Sequence, residues 1–170
     1  MIFFIGFMGV GKSTIANELS EILNINVIDT DQEIENLEKN SISNIFKKNG
    51  EFYFRKAESK LLRNLDSKKN KIIACGGGLP LFHDNMNYIN EHGISIYLKA
   101  DLNFIYNRLK KQKKKRPLIK NLTNTELKKF ILNKIKEREK VYEKAKYIVN
   151  INNKEKKEIL REISSLIFPL

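Results

Sequence analysis

Residues 6–13 read Gly6-Phe7-Met8-Gly9-Val10-Gly11-Lys12-Ser13. The spacing is G-x-x-x-x-G-K-[ST], a loop whose backbone N–H groups turn inward around a phosphate. Glycine permits that turn, and the helix that follows adds the positive end of its dipole. Gly9, Val10, Gly11, Lys12, Ser13 and Thr14 are therefore candidate nucleotide contacts. Lys12 is the candidate for the β and γ phosphates, and Ser13 for Mg²⁺, a hard cation that takes oxygen ligands.

The flanks supply the context that such a loop needs. Ile2-Phe3-Phe4-Ile5 is a short apolar run, the pattern of a buried parallel strand. Residues 12–23 follow with Ile15, Ala16, Leu19, Ile22 and Leu23 at helical spacing. Further along, strands are expected at 25–28, 71–75, 94–98 and 147–151. Helices are expected at 31–38, at 41–48, from Gly50 to about 65, and within 83–91. Others are expected from 101 to about 110, from 123 to about 146, and at 154–167. Asp101 reads as a helix cap, and Thr123 with Glu126 as a capping box. Alternating strands and helices imply an α/β fold, a parallel sheet covered on both faces, with ligands beyond the carboxyl ends of the strands.

Composition narrows the class. The chain has 170 residues, which suits one domain over 1–170. Both charge signs are spread along it, so wholesale disorder is not expected. A net charge of +12 admits nucleic acid, an anionic membrane or small anionic substrates as partners. The richness in Lys, Asn and Ile explains the excess equally well. The single cysteine, Cys75, excludes an intrachain disulfide, and no apolar run approaches the ~20 residues of a membrane helix. A cytoplasmic location is the expectation. The GTPase pattern Asn-Lys-x-Asp is absent, which favours ATP.

Asp29 and Asp31 stand two residues apart at the end of the second strand. In an extended segment both would face one way, one carboxylate toward Mg²⁺ and the other toward an acceptor hydroxyl. Alternatively Asp31 only caps the next helix.

More landmarks follow in order: Glu51-Phe52-Tyr53-Phe54-Arg55-Lys56-Ala57-Glu58, then Gly76-Gly77-Gly78, then Arg116-Pro117-Leu118, then Arg138 four residues before Tyr142. The whole series resembles the shikimate kinase family. The resemblance implies a three-layer P-loop kinase fold with a five-stranded parallel sheet flanked by helices. It implies an acceptor-binding helical region at about 31–65 and a lid at about 111–124. The reaction it implies is transfer of the ATP γ-phosphate to the 3-hydroxyl of shikimate, a step of aromatic amino acid biosynthesis, by a monomer using Mg²⁺. Neither nucleic acid nor membrane is an implied partner.

The same resemblance distributes roles. Lys12, Asp31 and Arg116 would be catalytic. Asp31, Arg55, Gly77, Gly78 and Arg138 would bind shikimate, with both arginines clamping its carboxylate. Ser13 and Asp29 would serve the metal. Arg116 would touch the transferring phosphate from the lid, and Arg108 would pack on adenine. Plainer readings stand beside these. Arg55 and Glu58 are i,i+3 neighbours and could form a surface pair. Arg138 and the run 113–116 could be solvated charges, and Phe46 and Phe54 could be core instead of pocket wall. His83 and His92 show no partner for a metal. Leu79-Pro80, Lys140 and Val141 depart from the family pattern.

Two other readings compete. A related kinase for gluconate or a nucleoside monophosphate shares the loop but has less use for a two-arginine clamp. A non-enzymatic, ATP-dependent nucleic-acid-binding module would account for the charge.

Overall fold

A computed structural model describes residues 1–66, 69–113, 116 and 118–168. Strand β1 (Ile2–Ile5) is buried along its full length because it lies at the centre of the sheet. β2 (Asn26–Asp29), β3 (Lys71–Ala74), β4 (Ile94–Lys99) and β5 (Tyr147–Asn150) join it in the order β2-β3-β1-β4-β5, every pair parallel.

Side-chain alternation along β1 builds two cores. Ile2 and Phe4 face one layer, where α1 (Lys12–Leu23), α5 (Leu102–Gln112), α6 (Asn124–Tyr142) and α7 (Lys156–Ile167) contribute Leu19, Leu109, Ile131 and Ile163. Phe3 and Ile5 face the other, packed by Leu62 of α3 (Ile42–Arg63), by Met86 and Ile89 of α4 (Asn85–His92), and by Tyr142. A third, smaller cluster of Ile34, Ile45 and Phe54 joins α2 (Thr30–Glu38) to α3.

Several expectations are corrected. Ile22, expected on the buried face of α1, is exposed; the apolar stripe of this helix is Ile15, Ala16 and Leu19. Asp31 does not cap α2. That helix begins at Thr30, and the Asp29 carboxylate accepts from the N–H groups of Asp31 and Gln32. Asp101 occupies the N-cap of α5, but its side chain makes no capping bond; its N–H donates to Asn152. α6 stops at Tyr142 instead of 146, because the chain turns toward β4, where Lys146 N–H donates to the Ser95 hydroxyl.

Other expectations hold. The Thr123–Glu126 capping box is formed, and Gly50 breaks α3 with φ 82° and ψ 170°. The expected lid at 111–124 is only partly described, with residues 114, 115 and 117 of the basic run and of the Arg116-Pro117-Leu118 motif outside the described residues. What is described is not a free loop. α5 continues to Gln112, and Ile119 is fully buried in the larger core. Among the described residues no helix is long and apolar enough to cross a membrane.

Candidate active site

The phosphate loop follows β1, and its backbone conformation demands glycine: φ is 139° at Gly6, 85° at Gly9 and 101° at Gly11. Lys12 folds back over its own loop, donating to the carbonyls of Gly6 (2.9 Å) and Phe7 (3.0 Å). Desolvation by the surrounding loop lowers its pKa from 10.5 to about 8, against the pull of Asp31.

Beside it, the Ser13 hydroxyl donates to Asp29 Oδ2 at 2.5 Å. The expected extended presentation of Asp29 and Asp31 is replaced by a strand-to-helix corner. Asp29 ends β2 and caps α2, while Asp31 lies in the first turn of α2. Both still reach the same cavity. Burial, and then the charge of Asp29, raises the pKa of Asp31. The oxygen-only pair Ser13–Asp29 suits Mg²⁺, which needs few protein ligands when phosphates and waters complete its shell. No group of three or more His, Cys, Asp or Glu side chains that could hold a metal occurs among the described residues.

Two cavities lie side by side. The first, about 550 Å³, is lined by the phosphate loop and by Phe104, Arg108, Gln112 and Lys154. The second, about 510 Å³, is lined by Phe46, Phe54, Arg55, Glu58, Gly78 and Arg138. Met8, Asp31, Gly77 and Arg116 border both. Each volume is in the range that holds a small organic ligand.

Arg55 is held tightly for a cation. It donates to Glu58 Oε2 at 2.7 Å and to Glu51 Oε1 at 2.8 and 3.1 Å. Its guanidinium also lies over the rings of Phe46, Phe54 and Phe82, nearest Phe82 at 4.8 Å. The pair with Glu58 is thus a buried one, not a surface one. Burial lifts the Glu58 carboxyl to about 7 although Arg55 draws it down, and its Oε1 has no hydrogen-bond partner. Phe46 and Phe54 are both pocket wall and packing: their rings sit 4.9 Å apart, and Phe54 belongs to the α2–α3 cluster.

The glycine run after β3 fits because it has no side chains. A Cβ at Gly78 would lie 2.3 Å from the Arg55 guanidinium, and one at Gly76 would lie 2.2 Å from Asp31 Oδ1. Thr30 accepts from Gly76 N–H at 2.7 Å, and the Tyr142 hydroxyl donates to Gly77 O at 2.5 Å.

Arg108 is in the first cavity, but here it packs on Phe104 (4.6 Å) and donates to the carbonyls of Gly9 and Val10. Arg116 donates to Gln112 Oε1. The sequence assigns no role to Glu51, Phe82 and Thr30, nor to Gln112, Lys154 and Lys156, which line the first cavity. Only the spacing of Arg138 from Tyr142 had hinted at the tyrosine. His92 hydrogen-bonds the Tyr88 carbonyl.

The family model described as shikimate kinase matches residues 8–168. The chain belongs to the shikimate kinase family. A shikimate kinase from Azobacteroides pseudotrichonymphae is 40% identical over 95% of this chain and 96% of its own length. Another, from Clostridium botulinum, is 43% identical over 91% of this chain and 89% of its own length. Among solved structures, a shikimate kinase from Bacteroides thetaiotaomicron superposes with a TM-score of 0.92 at 30% identity, covering 98% of this chain and 97% of that one. The family's enzyme from Acinetobacter baumannii, solved in complex with shikimate, gives 0.88 at 32% identity over 98% and 91% of the two chains. The five-stranded parallel sheet with its flanking helices is the P-loop kinase fold of the family.

Proposed function

We propose that the protein transfers the γ-phosphate of ATP to the 3-hydroxyl of shikimate, giving shikimate 3-phosphate and ADP. The observation that carries this is the wall of Met8, Asp31, Gly77 and Arg116 shared by a phosphate-loop cavity and a cavity that also holds Arg55 and Arg138. Phosphoryl transfer needs donor and acceptor positioned across a short gap and charge placed around it, and little else.

In this reading ATP occupies the first cavity, with Lys12 leaving the Gly6 and Phe7 carbonyls for the β and γ phosphates. Gly9, Val10, Gly11, Ser13 and Thr14, which line this cavity, would meet the phosphates, and Arg108, now packed on Phe104, would stack on adenine. Ser13 and Asp29 would hold Mg²⁺, which neutralises phosphate charge when bound. Shikimate occupies the second cavity, its carboxylate between Arg55 and Arg138, its ring against Phe46 and Phe54, and its hydroxyls toward Asp31 and the Gly77–Gly78 backbone.

Asp31 takes the proton of the 3-hydroxyl as the new O–P bond forms and the bond to ADP breaks. Its raised pKa suits a base. Arg116, bordering both cavities, stabilises charge on the group in flight. The segment 111–124 acts as lid, 31–65 as the acceptor-binding region, and 1–170 as one domain. We assign the protein to the cytoplasm as a monomer, without nucleic-acid or membrane partners.

The test is ADP release by the purified protein with ATP, Mg²⁺ and shikimate, against a blank without acceptor. Shikimate-dependent release is expected. Release with gluconate or a nucleoside monophosphate but not shikimate would overturn the assignment. So would release that ignores the acceptor.

A further inference from the structure

The Gly76-Gly77-Gly78 run has close fit but little conformational restraint of its own. Glycines lose more conformational freedom on folding than other residues, and a peptide unit between two of them rotates readily. Two backbone bonds shape the run, with Gly76 O accepting from Leu79 N–H at 3.0 Å and Gly78 O from Leu81 N–H at 3.1 Å, and three side-chain bonds add to them. Thr30 accepts from Gly76 N–H, Asn85 Nδ2 donates to Leu79 O at 2.8 Å, and the Tyr142 hydroxyl donates to Gly77 O.

The Leu79–Gly76 bond closes a turn over Gly77 and Gly78 but holds neither end of their central peptide unit; among the described residues, Tyr142 is the side chain that bonds an atom of that unit. In a planar trans peptide the carbonyl of one residue and the N–H of the next point in opposite directions. A donor fixed on Gly77 O therefore also fixes the direction of Gly78 N–H. The anchor is itself well held. Tyr142 is 1% exposed, its ring packs on Tyr97 at 5.2 Å, and burial raises its phenol pKa so that the donor proton is retained. It also ends α6, one helical turn beyond Arg138.

We infer that Tyr142 is a positioning residue of the acceptor pocket, holding the Gly77–Gly78 peptide unit in the orientation that binds substrate and locking the glycine loop to the helix that carries Arg138. The inference rests on the reading of the second cavity as the shikimate site. Tyr142 touches no reacting atom. Its effect is to supply from outside the order that the glycines lack.

The variant is Tyr142→Phe, which keeps the ring and removes the donor. The KM for shikimate is expected to rise about tenfold, the scale of one lost hydrogen bond, with the KM for ATP and the Tm nearly unchanged. Nuclear magnetic relaxation gives a readout independent of the acceptor. The Gly78 amide order parameter is expected near ~0.85 in the parent protein and below ~0.6 in the variant. A methyl at Gly77 would meet only ordinary contacts, the nearest Arg138 Nη1 at 3.4 Å. Gly77→Ala should therefore restrict the same peptide, and the double variant should bind shikimate about as well as Gly77→Ala alone.

An unchanged shikimate KM, or an equal rise in both KM values with a fall in Tm, overturns the inference. So does strictly additive loss in the double variant, or a low Gly78 order parameter in the parent protein. If the parent protein shows no shikimate-dependent ADP release, the acceptor reading fails instead, and the relaxation result still tests the anchor.

Discussion

The Ser13 hydroxyl donates to Asp29 Oδ2 while Asp29 Oδ1 accepts from the N–H groups that open α2. One carboxylate thus closes a helix end with one oxygen and faces the phosphate loop with the other. The two tasks separate by substitution. Asp29→Asn keeps a good cap and should leave the Tm nearly unchanged, while raising the Mg²⁺ concentration needed for half-maximal activity. Asp29→Ala should show the same metal effect and also lose about 1 kcal/mol of stability. Mg²⁺ titration of activity and thermal unfolding of both variants check this. An Asn variant with a normal Mg²⁺ requirement removes Asp29 from the metal site.

Lys12 gives a pH signature. A base whose folded pKa is lowered to about 8 carries its cost below that pH and sheds it as pH rises toward 10.5. The free protein should therefore gain stability from this group over that window. Nucleotide phosphates favour the charged lysine, so ATP binding above pH 8 should take up a proton and weaken as pH rises. Calorimetry at pH 9 in buffers of different ionisation enthalpy measures the uptake, which Lys12→Ala should abolish. That variant should also lower kcat by ~10² or more. Binding without proton uptake would show that the lysine is charged before the nucleotide arrives.

Arg138 and Gly78 should fail in the same direction for different reasons. If Arg138 clamps the carboxylate as proposed, Arg138→Ala removes a charge-assisted contact worth ~1.5–3 kcal/mol, a rise in shikimate KM of roughly 10- to 150-fold. Gly78→Ala drives a methyl into the Arg55 guanidinium, which two glutamates and three rings prevent from moving freely. Its shikimate KM should rise as well, and the ATP KM should change little in both variants. Steady-state kinetics with each substrate varied in turn decides it. A Gly78→Ala protein with parental shikimate KM would mean that Arg55 has room to retreat.

Glu58 predicts a stability slope. An acid whose folded pKa is raised from 4.5 to about 7 favours the fold below the lower value, and that contribution is lost as pH climbs through the window. Glu58→Gln resembles the protonated parent near pH 5 and escapes the ionised state at pH 8. The Tm of the variant relative to the parent should therefore increase from pH 5 to pH 8. A constant difference across that range would place the Glu58 pKa in the ordinary carboxylate range.

The chain announced its sheet more clearly than its pocket. β1 was readable because a central parallel strand is apolar on both faces, and the glycine pattern after it has few other physical uses. The strand order was not readable, since parallel neighbours are distant in sequence. Asp29 and Asp31 differ in geometry from the extended expectation because the strand ends on the residue that caps the helix, so the period of two stops between them. The burial of Arg55 with Glu58 was ambiguous, since i,i+3 spacing suits a wet pair as well as a dry one. The Tyr142–Gly77 bond left no trace, because a backbone carbonyl is an acceptor that every residue owns.

The wall of Met8, Asp31, Gly77 and Arg116 has a pharmacological side. Two compartments that share a wall are a short tether apart. A two-headed inhibitor bridging them would bind its second head at a high effective concentration, gaining avidity beyond either half. Under the proposed function, escape by mutation at Asp31 or Arg116 would also weaken phosphoryl transfer.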